Sequence, residues 1–78
     1  MTNREQNERK FPHWFDFPGG GRQYWRDVLG RLGNYARYVK EVDAAEQTAR
    51  FYQEIYNAEG KLIEIHEKFP VDKGHQKV

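Results

Sequence analysis

The sequence predicts an α+β fold in which one amphipathic helix packs on a three-stranded antiparallel β-meander. Apolar residues recur at helical spacing in segment 22–32. Two segments of alternating polarity flank a turn signal at 57–60, and segment 35–43, rich in β-forming residues, precedes them, which together indicate consecutive antiparallel strands. A chain of 78 residues has room for one small domain, which we place at residues 11–70.

The two ends of the chain are predicted to lie outside this domain. Residues 1–10 contain no apolar residue after Met1, so a disordered arm is expected because nothing there can be buried. Residues 71–78 are mostly polar and are expected to form a C-terminal tail. Residues 11–17 are rich in aromatic side chains and bounded by prolines, which favours an extended segment over the edge of the core. Gly19–Gly21 would then act as a flexible hinge.

The helix is predicted from four apolar residues at positions i, i+3, i+4 and i+7, which fall on one helical face. These residues are Trp25, Val28, Leu29 and Leu32. Gly33 follows them and suits the left-handed position that ends many helices. Since the other side of this helix is polar, we expect its apolar side to pack on the sheet.

The three strands are predicted at residues 35–43, 49–56 and 61–67. Asn57-Ala-Glu-Gly60 fits a type I turn whose last residue takes positive φ and forms a β-bulge. Alternation along the second and third strands then places one set of apolar side chains toward the helix. This set is Phe51, Ile55, Ile63 and Ile65.

The first strand has two plausible registers, and we favour the one that places Arg37 opposite Glu54 and Glu41 opposite Arg50, because it forms two complementary charge pairs. It also directs Tyr38 and Val42 toward the core, and it aims Lys40 toward the same face near an edge. A one-residue slip would instead direct Arg37 and Glu41 to the core.

The same pairing predicts an unusual group of polar residues on the outer face. Glu54 would lie opposite Glu64, and Tyr52 would lie opposite His66. Two carboxylates so close raise the pKa of one of them. Such a face has the groups needed for metal-free RNA cleavage. Glu54 or Glu64 would act as the base and His66 as the acid. Arg37 or Arg50 would stabilise the phosphorane. The alternative is an ordinary solvated sheet face of alternating charges.

A helix behind an antiparallel sheet that carries Glu, His, Arg and Tyr on its free face resembles the RelE and barnase-like ribonuclease toxins. The resemblance covers residues 22–69 in architecture and residue type. It implies a small RNase with RNA as its partner.

The outer face also predicts an association surface. Tyr52, Tyr56 and Leu62 would be left without cover by a single helix, and uncovered apolar patches mark interfaces. The sequence therefore predicts a small interaction module that forms a homodimer or binds a partner protein, with the ribonuclease as the alternative.

Composition narrows the function classes further. Thirteen Lys and Arg face twelve Asp and Glu, a formal net charge of +1, which by itself does not predict a nucleic-acid partner. The absence of cysteine excludes disulfides and favours a reducing, cytoplasmic compartment. No apolar run approaches the ~18 residues of a membrane span, and the scattered histidines do not suggest a zinc site. We expect no membrane partner, no metal and no cofactor.

Overall fold

The chain folds into one antiparallel sheet in the computed structural model, which describes residues 2–78. Its six strands, in chain order, are β1 (His13–Asp16), β2 (Arg22–Leu29), β3 (Tyr35–Val42), β4 (Thr48–Tyr56), β5 (Leu62–Phe69) and β6 (Gly74–Lys77). Each strand pairs with the next, so β1 and β6 form the edges of a meander. One helix, α1 (Asn3–Lys10), precedes the sheet, and a short 3₁₀ turn (Arg31–Gly33) links β2 to β3. The predicted fold of one amphipathic helix on three strands is therefore wrong.

The segment predicted as the amphipathic helix is strand β2. Trp25 pairs with Val39 of β3, and strand alternation sends the neighbouring Tyr24 to the other side, where it is 0% exposed. Leu29 and Leu32, two of the four residues that suggested a helical face, are 86% and 93% exposed. Their spacing matched a helix by coincidence, because a short segment rich in apolar residues satisfies both periods.

The N-terminal segment predicted to be disordered is helix α1. Its first turn is closed by a capping box, in which the Glu5 amide donates to the Thr2 hydroxyl at 3.1 Å and the Thr2 amide donates to the Glu5 carboxylate at 3.2 Å. Arg9 and Lys10 occupy the last turn, where positive charge is favourable to the helix dipole. The prediction failed because it assumed that only apolar contacts order a segment.

Polar contacts dock α1 on the sheet. Glu46, in the turn between β3 and β4, accepts hydrogen bonds from the hydroxyl of Tyr24, from Asn7 Nδ2 at 3.0 Å and from Arg4 Nε at 3.4 Å. Lys40 Nζ donates to Asn7 Oδ1 at 2.9 Å. Asn7 is thus buried with both ends of its amide bonded, which removes the cost of burying it.

A second polar contact ties the helix to the first hairpin. The guanidinium of Arg22 donates to Glu8 of α1 at 2.7 Å and to Asp16 of β1 at 2.5 Å. Burial alone would lower the pKa of Arg22, but the two carboxylates raise it above its usual value. Arg22 therefore stays charged although it is buried.

The apolar core is small and lies beneath α1. Phe11, Tyr24 and Val42 form its buried centre, and the rings of Tyr38 and Phe51 pack against it. The predicted orientations of Tyr38 and Val42 toward the core, and of Lys40 toward the same side, are confirmed.

The aromatic segment before the glycines is extended, as predicted, and forms strand β1. Its Trp14 and Phe15 are 41% and 56% exposed, so they do not bury themselves over the core edge. The glycines predicted as a hinge form the turn of a hairpin instead. At Gly21, with φ of 87°, a Cβ atom would lie 2.8 Å from the carbonyl oxygen of Val42, so a side chain is excluded there.

The strands predicted in the second half of the chain are present with small changes of boundary. The turn at 57–60 is confirmed: the amide of Asn57 donates to the Lys61 carbonyl at 2.9 Å, and Gly60 has φ of 80°. The prediction of a C-terminal tail is wrong. Strand β6 forms in that segment and pairs with residues 64–67 of β5. Strand β5 itself continues to Phe69, which pairs with Phe51 of β4.

Glu46 supplies a test of how the helix is held. Burial raises the pKa of Glu46, but the hydrogen bonds from Tyr24, Asn7 and Arg4 outweigh it and leave the pKa below its ordinary value of 4.5. A carboxylate with a lowered pKa stabilises the folded state above that value, and the contribution is lost as pH falls through the folded-state pKa. We expect Glu46→Gln to lower the free energy of unfolding by about 1–2 kcal/mol at pH 7, with a smaller difference from the wild type below pH 4.5.

Chemical denaturation across pH measures this difference, and hydrogen exchange of residues 3–10 reports release of the helix. Glu59→Gln, in an exposed turn, is the matched control. Equal stability of Glu46→Gln and Glu59→Gln at pH 7 would contradict the proposed role of Glu46.

Candidate functional site

The sheet has two sides with different surroundings. The helix face is the side on which α1 lies, and it carries Tyr24, Tyr38 and Phe51. The open face is the opposite side, where α1 does not lie; at its centre Val39 and Tyr52 are buried, with 2% and 8% exposed. By the strand register, the apolar and aromatic residues of the open face are Phe15, Trp25, Leu29, Tyr35, Val39, Tyr52, Tyr56, Leu62 and Ile65.

The favoured register of β3 against β4 is confirmed. Arg37 pairs with Glu54, and Glu41 pairs with Arg50, all on the open face. The Arg37 side chain nevertheless turns to its other neighbour and donates to Asp27 at 2.8 and 3.1 Å. This bidentate contact with Arg37 holds the pKa of Asp27 below its usual range.

Arg50 is also held by a carboxylate other than its predicted partner. Its guanidinium donates to Glu67 on β5, with Nε 2.9 Å from Oε1, and lowers the pKa of Glu67. The same guanidinium lies 4.0 Å from the centre of the Tyr52 ring. Burial, followed by the charges of Glu41 and Glu54, raises the pKa of Tyr52 to about 12. Tyr52 is therefore a neutral packing residue at physiological pH.

The prediction that Glu54 lies opposite Glu64 is wrong. A β-bulge leaves Ile63 as an extra residue of β5, so Ile55 pairs with Glu64 and Glu54 pairs with Ile65. Adjacent strand residues point to opposite faces, which puts Glu54 on the open face and Glu64 on the helix face. Ile65, predicted to face the helix, shares the open face with Glu54.

His66 is displaced by the same shift. It pairs with Gln53 rather than with Tyr52, on the helix face. Its Nε2 lies 2.7 Å from an Asp72 oxygen, and its ring centre lies 4.4 Å from that of His75 on β6. His66 thus belongs to a contact between β5 and β6, on the face opposite Arg37 and Arg50.

The five catalytic candidates are therefore divided between two faces of the sheet. Three of them, Arg37, Arg50 and Glu54, lie on the open face, and two, Glu64 and His66, lie on the helix face. A general acid, a base and the arginine that stabilises the phosphorane must reach one substrate together. Glu64 and His66 share one face, but both predicted arginines and the other base candidate, Glu54, lie on the opposite face.

The predicted binding residues, in contrast, are brought together. Tyr52, Tyr56 and Leu62 share the open face, with Leu62 paired to Tyr56 across the β4–β5 hairpin. Tyr35 stacks on Tyr56 with ring centres 4.9 Å apart and planes at 10°. The hydroxyl of Tyr56 donates to Glu54 at 3.0 Å.

Sequence reasoning missed part of the open face. Trp25 was assigned to a helix, although the alternation of Gln23, Trp25 and Asp27 with Tyr24 and Arg26 is the signal that would have placed it. Together with neighbours on β3 and β4, Trp25 lines a shallow depression of about 260 Å³.

The helix face carries a larger concavity that the sequence did not suggest. It is a groove of about 740 Å³ beside the end of α1, with aromatic and cationic residues in its lining. Its residues come from α1, β2, β3, β4 and β5, so no local sequence motif exists to reveal it.

Other kinds of site are not formed by the described residues. No group of three or more His, Asp or Glu side chains in residues 2–78 is placed to hold a metal ion. In the same range, no helix is long and apolar enough to span a membrane.

No family model, no curated protein and no solved structure matches this chain. The resemblance to RelE and barnase-like ribonucleases stays a prediction, and the arguments about function rest on the geometry of the two faces.

The division of the catalytic candidates predicts an outcome for RNA cleavage. Because Glu64 and His66 lie on the face opposite Glu54, Arg37 and Arg50, we expect no cleavage of RNA in EDTA above the level of the His66→Ala variant. Gel analysis of labelled RNA measures this. Cleavage by the wild type with a bell-shaped pH profile that His66→Ala abolishes would contradict the expectation and support the ribonuclease.

Proposed function

We propose that the chain is a small protein-binding module that associates through its open face, in the simplest case with a second copy of itself. The observation that carries this proposal is the aromatic character of the open face, where Trp25, Tyr35 and Tyr56 stay partly exposed around the buried Val39 and Tyr52. Tyrosine, tryptophan and arginine are the residues most enriched at the centres of protein interfaces. The cytoplasmic location expected from the lack of cysteine belongs to the same proposal.

The arginines of the open face support association because they are already fixed. Arg37 is bound to Asp27 and lies 5.4 Å from the Tyr56 ring. Arg50 is bound to Glu67 and packs on Tyr52. Side chains that are ordered before binding lose little conformational entropy when a partner covers them. Their charges are also compensated, which lowers the cost of removing water from them.

The open face is not electrically neutral, and this limits the strength of a symmetric dimer. Strands β2 to β5 place four carboxylates on it against two guanidiniums, namely Asp27, Glu41, Glu54 and Glu67 against Arg37 and Arg50. Two such faces in contact repel each other at the unpaired carboxylates. We therefore propose a weak homodimer, whose attraction comes from the aromatic and aliphatic side chains.

A leucine substitution tests the attraction. Leu62→Glu places a charge among the residues of the open face, and we expect it to make the protein monomeric. Leu32→Glu is the matched control, because Leu32 is 93% exposed in the turn after β2. Light scattering over a concentration series measures the mass, and circular dichroism verifies the fold. A wild-type protein that remains monomeric at about 1 mM, a dissociation constant worth only about 4 kcal/mol, would contradict self-association.

A glutamate substitution tests the repulsion. Glu54 has no guanidinium within salt-bridge distance in the described chain, so Glu54→Gln removes an uncompensated charge from each face. We expect it to tighten the dimer about two- to fivefold, the size of an ordinary surface charge effect, and we expect added salt to tighten the wild type similarly.

Glu59→Gln, which removes the same charge from an exposed turn, is the control. If Glu54→Gln weakens association, or if salt dissociates the wild type, the dimer is held by charge pairs across the interface and the aromatic explanation is wrong.

A further inference from the structure

The groove on the helix face has an aromatic floor and cationic margins. The floor consists of Tyr38, Phe51 and Phe69, and the margins include Lys10, Arg26 and Lys40. The groove lies on the side of the sheet opposite the proposed dimer surface.

The aromatic floor is a platform of neighbouring rings on three strands. The rings of Tyr38 and Phe51 are inclined by only 20°, with centres 6.4 Å apart. Phe69 pairs with Phe51 across β4 and β5 and is 44% exposed. Aromatic side chains on a sheet can stack with an unpaired base, and Phe69 is the most exposed of these three.

The cations are fixed around this platform. The guanidinium of Arg26 lies 5.5 Å from the centre of the Tyr38 ring. Lys68 Nζ lies 5.3 Å from the centre of the Tyr38 ring and 5.8 Å from that of Phe51. Lys10 and Lys40 come from the other side, at the end of α1 and on β3.

These four cations differ from three arginines of the described chain in having no carboxylate partner; Lys40 bonds instead to the neutral amide of Asn7. Arg22, Arg37 and Arg50 each contact a carboxylate. In residues 2–78, Arg26 and the three lysines of the groove contact none within 4.0 Å. Burial and the charge of Lys10 lower the pKa of Lys40. A bound anion would relieve this concentration of positive charge.

We propose that the groove binds a nucleotide, with its base on the Tyr38, Phe51 and Phe69 platform and its phosphate among the lysines and Arg26. The nucleotide is either free or one unit of a single strand. Base stacking on aromatic rings and cation contacts to phosphate are the two interactions that hold unpaired nucleotides on proteins. The volume of about 740 Å³ is within the usual range for a small-molecule site.

Two arms of one experiment distinguish the sources of the nucleotide. Fluorescence anisotropy measures binding of short labelled single strands of RNA and DNA, and calorimetry measures binding of AMP. If a strand occupies the groove with three cations at its phosphates, we expect log K to fall with log salt at a slope of about −2. A free-nucleotide site binds AMP as tightly as the strand.

Matched variants test the two parts of the groove. We expect Phe69→Ala to weaken binding at least about fivefold, from the loss of one stacking contact, whereas Phe15→Ala, on exposed β1, has no effect. We expect Lys68→Gln to weaken binding and flatten the salt dependence, whereas Lys61→Gln, in the turn before β5, has no effect.

Three results would overturn the proposal. The first is no binding of either AMP or single strands. The second is equal binding of inorganic phosphate or decanoate, which would show that the base contributes nothing. The third is loss of binding in Leu62→Glu but not in Phe69→Ala, which would move the site to the open face. Because the groove and the open face lie on opposite sides, failure of the proposed dimer leaves this test unchanged.

Discussion

The buried carboxylate of Glu46 holds the N-terminal helix on the sheet, and much of the structure depends on that contact. Helix α1 has no apolar side, so it cannot dock by the hydrophobic effect. Glu46 gathers donors from α1 and from β2 at a turn residue with φ of 65°. Hydrogen bonds to a buried charge are among the stronger polar contacts, and an uncompensated buried carboxylate would be costly. Helix α1 therefore needs Glu46 in order to dock, and the Glu46 carboxylate needs the donors of α1 in order to be buried.

The position of α1 determines which part of the helix face is covered and which part stays open as a groove. With the helix docked, Phe11 reaches the buried core at Tyr24, with ring centres 5.7 Å apart, and Lys10 stands at the margin of the groove. The helix is too short to cover the remaining sheet. One end of the helix face is thus closed and the other end is left as a groove, while α1 does not reach the open face.

Local sequence patterns predicted the elements that depend on neighbouring residues, such as turns and the pairing of adjacent strands. The turn at 57–60 follows from Asn57 and Gly60, and the register of β3 on β4 follows from complementary pairs such as Arg37 with Glu54. The prediction of the catalytic site failed because of one residue. The bulge at Ile63 exchanges the faces of Glu64 and His66, and a one-residue shift exchanges every later side chain. A bulge is decided by the geometry of both strands, which the pattern of one strand does not contain.

The α1 error and the groove have a common physical origin. Long-range polar contacts, such as Asn7 with Glu46 and Glu8 with Arg22, join residues far apart in sequence and leave no periodic signal. The same long-range arrangement separates the charges. Carboxylates outnumber guanidiniums on the open face, while the groove on the other side gathers cations that have no carboxylate partner among residues 2–78. A formal net charge of +1 conceals this separation, because opposite fields on two faces cancel in the sum. A charge balance taken over the whole sequence therefore excludes a strongly basic protein, but it does not exclude a basic site.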